Sequence, residues 1–231
     1  MKKFIAGAVV AGTLFVTPGA ALADTSTTVT PSTTTPPSAP SRPAPSASGR
    51  HEFAAKTKAI AAIDKRLAWL DVLTGHVTNA KNLTADHKAT LLDKIDADRR
   101  GLRSLRAQIV ADDDGPTFRQ HAQQIVTDYR VYLLLTPQVH MTIVADAMDA
   151  AYAKLDAVAD KLAAQGKDVT QLRAKLDDAK AHADPVPGHV LPLVPHGYPD
   201  NKPVLDQART DLKTARADLK EAVAIARSLA K

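Results

Sequence analysis

Forty-nine consecutive residues, Thr117 to Gln165, contain no glycine and a single proline, Pro137. At the centre of this run lies DYRVYLLLTPQVHMTIVADAM, Asp128 to Met148, the most apolar stretch downstream of the N-terminal segment. Apolar residues return every three or four positions, so the spacing predicts one long helix. Its inward residues are expected to be Phe118, Ala122, Ile125, Tyr129, Tyr132, Val139 and Ile143, then Val144, Met148, Leu155, Val158 and Leu162. Pro137 lacks the N–H that would bond to Leu133 and its ring clashes there, which predicts a bend at that point. Thr136 and Pro137 could instead open a fresh helix. No glycine is present to reverse the chain, and the kinked continuous helix is the reading adopted. Val131–Leu135 is wholly apolar, which implies burial on more than one side. Thr136, Pro137, Gln138 and His140 follow at once and exclude a membrane span. His140 itself reads as a buried, hydrogen-bonded histidine.

Such a helix must be covered, and the remaining sequence supplies only helices. No alternating β-branched run bounded by turn residues occurs after His51, where Ala, Leu, Lys, Arg and Gln are abundant. A first helix, Glu52 to Asn79, carries Ile60, Ile63, Leu67, Leu70 and Val77 on one face, with Trp69 beside them as a packing residue. Thr84 then resembles an N-cap, with Asp86 in the first turn where the helix dipole favours acid. The second helix, to about Ala111, turns Leu91, Ile95, Leu102, Leu105 and Ile109 inward. Arg99, Arg103 and Arg106 line its outer face, and Asp96 pairs with Arg99 or Arg100. These arginines form a solvated charged face or, more specifically, a docking strip for an anionic wall polymer or lipid headgroup. Asp112-Asp113-Asp114-Gly115-Pro116 is a turn, because an EF-hand loop alternates its ligands and these acids are contiguous. Gly166 ends the long helix. Asp168 caps a shorter one bearing Val169, Leu172, Leu176 and Ala179.

Between Asp184 and Pro203 stand six prolines, two glycines and two histidines, which predicts a structureless connection. His189, His196 and Tyr198 on it are candidate interaction residues. The two histidines, or His140, would also be the ligands in a metal- or small-ligand-binding reading. The last helix starts near Asp200 or Asn201 and follows a heptad seam: Leu205, Ala208, Leu212, Ala215, Leu219, Ala222, Ala226, Leu229. Packing against Leu155, Val158 and Leu162 is favoured over pairing with a second copy, so a monomer is expected and a coiled-coil dimer is the alternative.

The N-terminal region reads as an address and a stalk. Lys2 and Lys3, the 13-residue, largely apolar stretch Phe4–Val16, and Ala21-Leu22-Ala23 have the layout of a signal peptide cleaved after residue 23. Thirteen residues fall short of the about 20 that cross a bilayer. Losing Lys2 and Lys3 lowers the formal charge from +5 to +3, and an exported chain with both signs interspersed gives little reason to expect nucleic acid. There is no cysteine, so no disulfide assists the fold. Residues 24–50 hold seven Thr, six Ser and six Pro and have almost nothing apolar to bury. They read as a disordered linker with a reach on the order of 80 Å.

No GxSxG, HExxH, CxxC, P-loop or Rossmann glycine pattern is found, and no acid–base pair can be nominated. The chain is therefore expected to be no enzyme and to need no cofactor or metal. The stretch DYRVYLLLTPQVHMTIVADAM, with LTADHKATLLDKIDADRRGLRSLRAQI upstream, resembles uncharacterised exported helical, coiled-coil-like proteins of actinobacteria, over roughly Ile60 to Gln165. The resemblance implies a helical protein of the cell envelope or extracellular space and transfers no site residue.

The expected architecture is all-α, an elongated bundle over residues 51–231. Two three-helix bundles share the long helix kinked at Pro137. The expected function is a secreted, non-catalytic scaffold or interaction module engaging a protein or cell-wall polymer. Ligand or metal binding is one alternative. Membrane-surface contact through basic amphipathic helices is the other.

Overall fold

The computed structural model describes residues 47–231, with side chains from His51 onward. The signal-peptide expectation and most of the linker lie outside the described residues. The linker's last four positions already belong to the first helix.

Among the described residues the protein is all-α. The elements run α1 (Ala47–Asn79), α2 (Ala85–Ala111), α3 (Gly115–Thr127), a π-helical turn (Val131–Leu135), α4 (Thr136–Ala164), α5 (Thr170–Ala183), α6 (Pro185–Val190), a 3₁₀ turn (Pro195–Gly197) and α7 (Asn201–Leu229). Thr84 caps α2 by accepting the His87 N–H, and Asp114 caps α3 by accepting the Thr117 N–H at 2.8 Å. α4 ends in a Schellman arrangement. Gly166 adopts φ +78°, Lys167 N–H bonds the Leu162 carbonyl and Gly166 N–H that of Ala163.

Three apolar clusters follow the chain. Ile63, Leu70, Leu73 and Val77 of α1 meet Leu91, Ile95, Leu102 and Ile109 of α2, with Phe118 and Ile125 of α3 and Val139 of α4 closing the first core. Met141 and Ala145 of α4 join Val186, Val190, Leu205, Ala208 and Leu212 in the second. The third unites Ala159 and Leu162 with Leu172, Leu176, Ala222 and Ala226. The start of α4 thus serves two bundles, as the shared-helix reading requires. The α7 seam is buried within the chain against α5 and α4.

The break in the long helix is not where the proline alone would put it. α3 stops at Thr127, and Arg130 leaves helical geometry at φ −82°, ψ 50°. Tertiary contacts impose the interruption. The Tyr129 ring lies so close over Gly101 that a Cβ there would collide with it. Arg130 donates from Nε to the Pro195 carbonyl at 3.1 Å and stacks over Tyr198, 4.5 Å from its ring centre. Before Pro137 the helix widens to π spacing, with Leu135 and Thr136 N–H directed five residues back to Arg130 and Val131. This register relieves the clash that Pro137 would cause in α-helical spacing. Thr136 Oγ1 donates to the Val131 carbonyl at 2.7 Å and accepts from Trp69 Nε1 at 2.8 Å, locking the turn to α1.

Three further expectations are corrected. Tyr132 and Leu133 are exposed, so only one side of the apolar run is covered. Val144 and Val158 are also exposed, and the inward row of α4 is Met141, Ala145, Met148, Tyr152, Leu155, Ala159 and Leu162. Alanines occupy positions where helices approach closely, and the larger β-branched residues flank them. The proline-rich segment is not structureless. Val186 and Val190 are fully buried, and Asn201 spends its side chain on the Val194 carbonyl (2.7 Å) and does not cap α7.

Candidate functional site

The proline-rich segment, with α6, the 3₁₀ turn and the residues between, forms a cap over the start of α4. Gln138 makes this possible. It is 2 % exposed and its Nε2 donates to the carbonyls of Val190 (2.7 Å) and Leu193 (3.0 Å). A buried amide satisfied by backbone of a proline-rich turn replaces ladder bonds that prolines cannot make. With Arg130 on Pro195 and Asn201 on Val194, three side chains hold the cap by its carbonyls.

A cleft of about 110 Å³ opens between the cap, the π turn and α2. Lys94, Asp98, Arg130, Leu134, Gln138 and Pro195 line it. Burial pushes the Asp98 carboxyl up to about 6, against the opposing pull of Lys94. Burial likewise lowers Lys94, with Asp98 resisting. Among the described residues no cation lies within ion-pair distance of Asp98. Tyr129 is also raised, by burial first and then by the Asp128 and Asp98 charges. A carboxyl titrating near neutrality, in a cleft that Lys94 and Arg130 also line, suits it to hold a small polar group.

Of the residues nominated from sequence, His196 and Tyr198 fall on this cap. His196 lies 3.4 Å from Asp128 and Tyr198 takes the Arg130 stack. His189 is exposed elsewhere on the cap. Among the described residues no group of three or more His, Cys, Asp or Glu is placed to hold a metal. The arginine face is not a free strip. Arg99 is bound to Asp71 (3.0 Å), Thr74 (2.9 Å) and Asp96, and Arg106 to Asp64 (2.8 Å). The Asp71, Thr74 and Asp64 contacts fasten α2 to α1, and of the three arginines Arg103 is the one exposed without an ion-pair partner among the described residues. His140 is exposed, not buried, and its Nε2 lies 3.2 Å from Nδ1 of His76. Two other histidines do meet buried acids. Asp146 accepts from His87 (2.9 Å) and from the Thr84 N–H (2.7 Å), and Asp112 from His121 (2.9 Å).

Lys94, Asp98, Arg130 and Gln138 were not singled out from sequence. The signal for Gln138 was a neutral polar side chain set in an apolar run directly after proline. Lys94 and Asp98 carried only their i,i+4 spacing, which surface pairs share. No protein-family model matches the chain, and no curated protein or solved structure is found similar to it. No described helix is long and apolar enough to cross a membrane.

Proposed function

We propose that this chain is an exported, non-catalytic helical module that presents the proline-rich cap to a protein or cell-wall polymer. The carrying observation is the cap's fastening. Gln138, Arg130 and Asn201 hold its carbonyls while His189, Val194 and His196 remain outside. A segment fixed before contact loses little conformational entropy on binding, which is what distinguishes a recognition surface from a mere connector. Val194, 54 % exposed, supplies an apolar anchor two residues from His196. Presentation at the cell surface rests on the signal-peptide layout, and the Thr/Ser/Pro-rich stretch would serve as the stalk.

Affinity capture from the native cell surface tests the proposal, with the protein and a Val194→Asp, His196→Ala double variant compared side by side. The same partner should be retained by the parent and lost by the variant. Equal retention by both would remove the cap from the account.

A further inference from the structure

We propose that His76 and His140 form a two-imidazole site for a divalent transition-metal ion of the zinc and copper class. His76 stands in the last turn of α1 and His140 near the start of α4, 64 residues apart in sequence. The fold brings their ring nitrogens to 3.2 Å and their ring centres to 5.4 Å. Zinc–imidazole bonds of about 2.0–2.1 Å in a tetrahedral site set two ligand nitrogens about 3.3 Å apart. The observed separation therefore needs almost no change. Both rings are exposed, so a rotation that turned both lone pairs to one point would not require either helix to move.

Other features support the assignment. The rings of His87 and His121 are committed to buried carboxylates, whereas among the described residues no acid pairs with His76 or His140. Among the described residues no third His, Cys, Asp or Glu joins them. Two waters or external ligands would then fill the remaining positions of a tetrahedral shell. His140 also borders a groove of about 310 Å³ with Tyr132, Met141 and Arg209, which leaves one side of the pair accessible. Imidazole nitrogens suit zinc and copper, with copper bound more tightly.

Calorimetric titration of the purified protein with Zn²⁺ tests this. One ion should bind per chain and raise Tm, since it ties α1 to α4. His76→Gln and His140→Gln should each weaken binding by about 100-fold, the gain that joining two ligands provides, and abolish the Tm rise. The His189→Gln, His196→Gln double variant should bind like the parent. Both rings are exposed, so the test variants keep the fold, which far-UV circular dichroism checks. Absence of Zn²⁺ binding by the parent, or binding that survives both single substitutions, would overturn the proposal and leave the pair as an imidazole–imidazole hydrogen bond.

Discussion

Asp98→Asn should stabilise the protein at neutral pH and lose that advantage in acid. The Asp98 carboxyl sits at about 6 in the folded chain against an ordinary 3.8, because burial in the cleft disfavours its charge more than Lys94 favours it. Each pH unit of such displacement corresponds to about 1.4 kcal/mol, so the ionised group destabilises the fold by up to about 3 kcal/mol above pH 6. Asparagine removes the charge while keeping the shape. It remains a desolvated amide and deprives Lys94 of its attraction, which reduces the expected gain to about 1–2 kcal/mol. For a body of this size that is roughly 3–6 °C in Tm. The sign follows from linkage. Between pH 3.8 and 6 the folded state binds more protons at this site than the unfolded chain, so this site's contribution to stability rises as pH falls through that window. The Asn variant lacks this slope. Urea melts of parent and variant at pH 7.5, 6, 5 and 4 should show a gap that is widest at pH 7.5 and nearly closed at pH 4. Comparing the two proteins at each pH cancels the other carboxylates. A variant less stable than the parent at pH 7.5, or a gap independent of pH, would refute the reasoning.

Ile125→Asp or Leu134→Asp should unfold the protein, because both side chains are buried and an unpaired carboxylate there costs several kcal/mol. Arg103→Ala should shift stability by less than about 0.5 kcal/mol. Circular dichroism melts separate the two outcomes. Thr142→Val should be neutral or stabilising by about 1 kcal/mol in urea titration, since Thr142 is fully buried and its hydroxyl has no hydrogen-bond partner. Truncation at Asp200 should lower helix content beyond the deleted residues, because Leu172, Leu176 and Ala159 lose their cover. A folded remainder with only α7's signal missing would contradict that packing.

Much of the fold was legible because burial follows periodicity. The seams of α2 and α7, the Thr84 cap and the Gly166 stop are local patterns and appear as expected, while the α1 seam also takes in Leu73, which the spacing passes over. The break at Asp128–Arg130 was not legible, since nothing in Asp-Tyr-Arg opposes a helix. It arises from Tyr129 against Gly101 and Arg130 against Pro195 and Tyr198, contacts with residues distant in sequence. Val144 and Val158 were misassigned because apolar size was taken as the sign of burial, whereas close helix approach selects alanine. The cap was read as structureless for a related reason. Prolines remove backbone donors, and only the fold reveals that Gln138 and Asn201 reach the carbonyls left behind. The site inherits this limit. His196 and Tyr198 stood out by composition, while Asp98 acquires its displaced pKa only from its surroundings in the folded chain.

The central claim is that the proline-rich segment is a fastened surface, and backbone ¹⁵N relaxation over Val186–Tyr198 tests it most directly. The non-proline residues should show order parameters near 0.85, matching α4, and should fall in a Gln138→Leu variant that removes the side-chain donor from the Val190 and Leu193 carbonyls. Values below about 0.6 in the parent would mean a loose connector. The cap, and the function proposed for it, would then have to be abandoned.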